Sequence, residues 1–365
     1  MTIEAIEIFR AEVPLKVPYK VSRWTFTAFD PLIASIRLRD GRLGWGEATI
    51  QAGYALDETP ETGWAFLKQW GERLVGRDIA TAMAMLEAEI QANSHAASIL
   101  ISALEMIEHS SLLTVDAPTV APLLVPVNTM DSDHVGAEIE KSIAEGFRTL
   151  KVKVGFDVEA DLKRVAAIQH ALRGRATIRL DANQAFSAEQ GRRFAAALDP
   201  TGIELFEQPC DKADWTANAG VAAVSTVPIM LDESIYGIPE IERAATVKGV
   251  GFVKVKLKKL GSLARLEAAL TRIAALGLVP VLGDGTATDI SCWMEAGVAR
   301  TTIGNAGENN GFLKLTAPLF KTPLPFARGA IRLPAGWWPE IDEPYLRKVS
   351  IETARFTAAT LVAAH

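Results

Sequence analysis

The chain has 365 residues, about half of them hydrophobic, and a formal net charge of −6. That length allows one large barrel with an appended domain, or two domains, around a sizeable core. It carries no long charge run or basic patch, which argues against nucleic acid or an anionic membrane surface as a partner and leaves small molecules.

The opening stretch "MTIEAIEIFRAEV" carries Glu4 and Glu7 and lacks a basic region followed by an apolar core, so neither a signal peptide nor a membrane span is expected, and the expected location is cytoplasmic. Residues 1–60 alternate apolar and polar side chains in "EAIEIFRAEVPL" and "PLIASIRLRDGRLGWGEA", with "DGRLG" as a turn, which predicts an antiparallel sheet. Helical periodicity follows in "ETGWAFLKQWGERLVG", "ATAMAMLEAEIQAN" and "AASILISALEMIEHSSLL", giving an α+β domain over residues 1–115. After "DAPTVAP" short apolar runs recur: "LLVPVN", "TLKVKVG", "TIRLDAN", "IELFEQP", "PIMLDES", "GFVKVKLKK", "VPVLGDG" and "TTIGNAG". Segments that read as helix, such as "DVEADLKRVAAIQHALRG", separate nearly all of them, so residues 116–327 are expected to form an α/β barrel of eight strands. The final stretch, 328–365, returns to turn-rich β character in "GAIRLPAGWWPEIDEPYLRKVS" and is expected to pack back on the N-terminal domain.

In such barrels the working residues come from the C-terminal ends of the strands. Here the second run ends with Lys151 and Lys153, the third with Asp181 and Asn183, the fourth with Glu207 and the fifth with Asp232 and Glu233; the sixth carries Lys256. Three carboxylates on three successive strands converge at one rim, and hard oxygen donors in that number suit Mg²⁺, with Mn²⁺ as the alternative. Residues two apart on a strand share a face, so Lys151 and Lys153 both point inward, each raising the cost of protonating the other. A depressed lysine pKa is expected from that pairing, and it is what a general base requires. A carboxylate substrate held between Lys153 and Lys256 would lose its α-proton to give a dianionic enediolate, which needs nearby positive charge.

The set "KVK" 151–153, "DAN" 181–183, "EQP" 207–209, "DES" 232–234 and "KLKKLGS" 256–262, in that order, resembles the enolase superfamily and within it the muconate lactonizing enzyme subgroup. The resemblance implies a modified (β/α)7β TIM-like barrel with an N-terminal capping domain, and a Mg²⁺-dependent isomerase. It implies that Asp181, Glu207 and Asp232 bind the metal, that Lys153 and Lys256 are the acid/base pair, and that Lys151 tunes Lys153. Asn183 and Glu233 would support these groups from behind. Capping loops are expected at "VSRWTF" and "GYALDE", which makes Arg23, Trp24 and Tyr54 candidate substrate contacts beside Asp284 and Glu308 at the barrel mouth. The expected partners are a small-molecule carboxylate and further copies of the chain, with no nucleic acid and no membrane.

The chain departs from the family pattern in places. It has "APLLVPV" where "LLGG" is usual, Ser110 where an Asp is usual, and Lys254 where a shorter polar residue is common. "GDGTATD" after the seventh run contains no histidine, so the His-Asp dyad of the mandelate racemase subgroup is absent. "AGENNGFLKL" resembles the "TELFGP" segment of muconate cycloisomerases and lacks the Asp-x-Asp pair of dipeptide epimerases. Two reactions stay open: cycloisomerisation or racemisation/epimerisation, and dehydration of a hydroxy acid or hydroxyproline-like substrate through the same intermediate. Blander readings exist for single motifs. "KVK" alone reads as an exposed edge, and the acids of "LDANQAFSAEQ" and "LDESIYGIPE" read as helix N-caps. Cys210 and Cys292 are too few for a disulfide framework or a thiolate metal site and are assigned no chemistry. The five histidines show no ligand spacing.

Overall fold

The computed structural model describes residues 1–20, 25–52, 57–131 and 134–359. The alternating N-terminal pattern folds as an antiparallel sheet of Ile3–Ala11, Leu32–Leu38 and Leu43–Ala48, which Ser350–Thr357 completes at one edge by pairing with Ile3–Ala11. Ile6, Ile8, Ala34 and Ile36, paired across the first two strands, bury one face of it. Helices Pro60–Leu74, Ile79–Glu87 and Ile90–Ile107 cover this cap. The strand Leu43–Ala48 lies backbone-on-backbone against the last of them: a Cβ at Gly44 or Gly46 would fall 2.0 or 1.9 Å from the carbonyl oxygens of Ala103 and Ile99, so only glycine allows the contact.

Two expected helix limits shift. The break between the second and third helices falls at 88–89 rather than 94–95, and a residual kink sits at Asn93 (φ −138°). "HSSLL" lies outside the helix, which ends before His109 in a left-handed conformation (φ 50°).

The barrel consists of seven parallel strands, adjacent in chain order: Val125–Val127, Thr149–Lys153, Thr177–Asp181, Ile203–Glu207, Ile229–Leu231, Val250–Val255 and Val279–Leu282. The eighth run, "TTIGNAG", is not a strand. Thr301 and Thr302 finish the helix Asp289–Thr302, and the Gly- and Asn-containing remainder makes one parallel bridge, Leu123 to Gly307. Closure rests on Gly307 N donating to Pro122 O (2.8 Å), Leu124 N to Gly307 O (3.0 Å) and Glu308 N to Leu282 O (2.8 Å). Gly283 (φ +131°) makes room for this crossing, because a Cβ there would lie 2.3 Å from Asn309 N. The closing segment thereby delivers Glu308 to the rim.

The final stretch divides between the two parts of the molecule. Ala330–Leu333 pairs with Thr119–Pro122 just before the first barrel strand, whereas Ser350–Thr357 joins the cap. Among the described residues no helix is long and apolar enough to cross a membrane.

Candidate active site

Strand register sets the site. Lys153 is the Cα partner of Asp181, and Asp181 of Glu207, so three adjacent strands present these residues at one level. Lys151 lies one pleat deeper on the same face. Lys254 and Lys256 repeat that arrangement on the sixth strand, across the barrel from the second, with Lys256 just past its end. All of these side chains are buried, as are Asp232, Glu233 and Glu308.

The N-cap reading of the acids does not hold. Ser187 opens the helix Ala188–Ala197 through a capping box with Gln190, and Gly237 precedes Ile238–Ala245. Asp181 and Asp232 are left to face the barrel interior. The turns behind them are shaped by buried polar residues: Asn183 (φ 42°) and Gln208 (φ 36°) are left-handed, and Gln208 Oε1 accepts from the backbone N–H groups of Asp232 (3.0 Å) and Ser234 (3.2 Å).

The rim is a continuous web of ion pairs. Lys153 Nζ lies 2.6 Å from Asp181 Oδ2 and donates to Asn183 Oδ1 (2.8 Å); Asn183 Nδ2 in turn donates to Glu233 Oε1 (3.1 Å). Lys256 Nζ is 2.9 Å from Asp232 Oδ2, while Lys259 holds Asp232 Oδ1 at 2.8 Å. Lys151 sits 2.9 Å from Asp181, 2.8 Å from Glu207 and 2.8 Å from both oxygens of Glu308. Lys254 reaches Glu207 Oε1 (3.0 Å), Asp232 Oδ2 (3.4 Å) and the remaining side of Glu308.

Burial alone would raise the pKa of every one of these acids, and the lysines reverse that for most. Lys151, Lys153 and Lys254 hold Asp181 down at about 2; Lys254, Lys256 and Lys259 hold Asp232 well below the carboxylate range; Lys151 and Lys254 do the same for Glu308. Glu207 and Glu233 are the exceptions: Glu207 is pushed up to about 7 by burial and by Asp181, and Glu233 is raised by burial and by Asp232. The depressed lysine pKa expected from the "KVK" pairing is not found at Lys151. Burial lowers it, but Asp181, Glu207 and Glu308 outweigh both burial and the neighbouring ammonium groups and leave it above the usual value. Lys254 and Lys256 are likewise raised, the carboxylates led by Asp232 overcoming burial. Lysines with a lowered value are Lys259 and, after the closing segment, Lys314, each brought to about 8 by burial.

A narrow cavity meets this web, walled by Tyr19, Phe26 and Gln51 of the cap and by Gly285 and Thr286 after the seventh strand; Lys153, Lys254, Lys256 and Glu308 all reach it. Asp284 also lines it, but its carboxylate is taken by Lys258 and by the N–H (3.1 Å) and hydroxyl (2.7 Å) of Thr286, so it is not open to a substrate ammonium. Lys258 donates as well to Thr49 O (2.7 Å), tying cap to barrel. Glu308, expected as a substrate contact, has both oxygens engaged by Lys151 and Lys254. Arg23, Trp24 and Tyr54 lie outside the described residues. Cys210 and Cys292 are buried, their thiols pushed up chiefly by burial.

Sequence reasoning passed over Gln208, Lys259 and Tyr19. The "Q" of "EQP" and the second lysine of "KK" were visible, but nothing local says that one buttresses the neighbouring strand end and the other grips Asp232.

A divalent cation of the Mg²⁺ type needs anionic oxygens turned to one point with no ammonium group among them. Asp181, Glu207 and Asp232 are donors of the right kind, yet the nitrogens of Lys151 and Lys254 stand at contact distance from the oxygens that would face the ion. Among the described residues no three His, Cys, Asp or Glu side chains form a group able to hold a metal. As arranged, these residues do not fit the ion that the sequence resemblance implies.

The family model for enolase C-terminal domain-like proteins matches residues 134–337. An L-Lys-D/L-Arg epimerase from Methylococcus capsulatus is 29% identical over 323 residues, covering 82% of this chain and 87% of that protein. Muconate cycloisomerase 1 from Acinetobacter baylyi is 28% identical over 368 residues, 95% of this chain and 99% of that one. A dipeptide epimerase structure from Cytophaga hutchinsonii, complexed with Mg and the dipeptide D-Ala-L-Val, is similar in fold with a TM-score of 0.87 at 24% identity, over 97% of this chain and 100% of that one. Epimerase and cycloisomerase relatives thus stand at nearly equal distance, and identity does not choose between them.

Proposed function

The chain belongs to the enolase C-terminal domain-like family, and from that premise we propose that it is an isomerase that moves the proton on the carbon α to a carboxylate. One observation carries the reading: Lys153 and Lys256, from the second and sixth of seven consecutive barrel strands, reach one cavity from opposite walls. A small carboxylate with its α-carbon between them meets one amine on each face. One lysine, once it has given up its own proton, takes the α-proton; the C–H electron pair passes into the carboxylate as an enediolate, and the ammonium on the other face returns a proton to carbon. Racemisation or epimerisation follows directly, and run in the other direction the same pair serves the opposite enantiomer. Cycloisomerisation uses the same intermediate with one lysine as proton donor. Asp181 and Asn183 orient Lys153, Asp232 orients Lys256, and the buried ammonium groups of Lys151 and Lys254 supply fixed positive charge for the enediolate. As they stand, the carboxylates do not fit Mg²⁺ or Mn²⁺.

The test is incubation of a carboxylate library with the enzyme in D₂O, read by mass and polarimetry. Deuterium gain with the formula otherwise retained is the expected result; loss of water would identify a dehydratase instead. Lys153→Ala and Lys256→Ala should each lose isomerisation by about 10²–10⁴-fold or more while losing α-proton exchange of complementary enantiomers. Wild-type turnover in Lys256→Ala with an inactive Lys254→Ala would move the sixth-strand proton carrier two residues back.

A further inference from the structure

We propose that in this chain the ammonium group of Lys254 takes the place of a divalent cation, so that the rim binds and stabilises a carboxylate and its enediolate with lysines alone. The inference rests on the reading of the rim as a proton-transfer site and goes beyond it by naming the electrophile.

The first support is position. Lys254 shares the inward parity of Lys256 but lies one pleat deeper, and its side chain spans the barrel interior to stand between Glu207 and Asp232 at 3.0 and 3.4 Å. These are two of the three carboxylates that could hold a metal, and their facing oxygens cannot contact an ion and this nitrogen at once. Lys151 closes the remaining approach, 2.9 Å from Asp181 and 2.8 Å from Glu207.

Charge is the second support. Lys151, Lys153, Lys254, Lys256 and Lys259 face Asp181, Glu207, Asp232, Glu233 and Glu308, five buried ammonium groups against five buried carboxyls. Counted as formal charges, amine against carboxyl, the set is matched five to five. A divalent ion would leave two uncompensated positive charges in a desolvated space, where such an excess is costly. A substrate monocarboxylate reaching this set meets positive charge already fixed in place.

The third support is Glu308. Its two oxygens are shared between Lys151 and Lys254, which fixes the two nitrogens side by side. Lys254 and Glu308 both line the cavity, so the ammonium faces the space a substrate enters. An ammonium carries one fixed positive charge, which attracts a carboxylate entering that space and holds it more strongly as the second negative charge develops.

Metal binding tests the proposal without substrate, so a wrong reaction class would leave its result intact. Wild-type protein is stripped with a chelator and titrated with Mn²⁺, following the paramagnetic signal of the free ion, and α-proton exchange is measured with and without chelator. No saturable binding below millimolar Mn²⁺ and exchange indifferent to chelator are expected. K254N, which removes the ammonium and leaves space, should gain one site at least about tenfold tighter, and the gain should disappear in K254N/E207Q. Should K254N fail to fold, K254M is titrated in its place with the same expectation. One Mn²⁺ bound per wild-type chain at micromolar concentration and lost in E207Q would overturn the proposal. So would a folded K254 variant that binds Mn²⁺ no better than the wild type.

Discussion

Two groups of buried carboxyls in this molecule are treated in opposite ways. At the seam between cap and barrel, Glu47 accepts from Thr288 N (2.6 Å), Thr288 Oγ1 (2.6 Å) and Ser291 N (3.1 Å), and Glu295 accepts from the N–H groups of Leu257 and Asp284, each at 3.0 Å. Asp289 accepts from Leu319 N (3.0 Å). Their direct partners are neutral dipoles, and burial wins: Glu47 is raised, Glu295 reaches about 8 and Asp289 about 7. At the rim the partners are ammonium groups, and Asp181, Asp232 and Glu308 are held ionised. Hydrogen bonds from the backbone suffice to position a carboxyl, as a structural joint requires. Keeping it charged out of water takes a full opposite charge, and that is found where chemistry needs a field.

Exchanging the two treatments should expose the difference. Glu308→Gln removes the shared counter-ion of Lys151 and Lys254, and breaking a buried ion pair from one side costs about 3–5 kcal/mol. A correspondingly lower urea midpoint and a loss of turnover are expected; unchanged stability would mean that the two lysines are balanced without it. Glu47→Ala strands the Thr288 and Ser291 donors at the seam, with an expected loss of about 1–3 kcal/mol in thermal unfolding. Glu47→Gln, which keeps an acceptor oxygen, should recover part of it, whereas the same Gln exchange at Glu308 should not.

The two regions should also answer pH with opposite sign. Glu295 has a folded pKa of about 8 against an ordinary 4.5, so its contribution to stability is complete below 4.5 and is lost as pH rises through about 8. Within that window its share of the slope is about 1.4 kcal/mol per pH unit, and Glu295→Gln should remove it from the stability profile. Asp181, lowered from 3.8 to about 2, contributes above 3.8 and loses that contribution as pH falls through about 2. A Glu295→Gln profile parallel to the wild type between about pH 5 and pH 8 would contradict the assignment. The smallest effects belong to the cavity wall. Asp284→Asn, which weakens the bond to Lys258, should alter substrate preference, while Cys292→Ala, buried against Ala287 with its Sγ 3.7 Å from the carbonyl, should cost about 1 kcal/mol and leave preference unchanged. The reverse order would move specificity away from the seventh-strand turn.

Much of this protein was legible in its residues alone. Strand-end acids 26, 25 and 24 positions from the next working group (181 to 207, 207 to 232, 232 to 256) mark one βα unit each, and the period of two on a strand turns Lys151 and Lys153, or Lys254 and Lys256, to one face. Those are local properties, since strand parity and unit length are set by backbone geometry wherever the strand ends up. The alternation within residues 1–60 likewise announced the cap sheet. What local pattern could not supply was partnership. The eighth run looked like its predecessors, but only the packed barrel shows Gly283 admitting a single bridge there in place of a strand. Asp284 stood free in "GDG" until the short helix Leu257–Leu260 brought Lys258 against it. On its own strand Lys151 pairs lysine with lysine, which predicts a lowered pKa; closure of the barrel adds Glu308, 157 residues away, and Glu207, and the sign reverses. Lys254 and Glu207 are 47 residues apart. The energy of a buried charge depends on every group within a few ångströms, and in a barrel those groups come from opposite walls, so the sequence determined which charges face inward and the tertiary structure alone decided which of them meet.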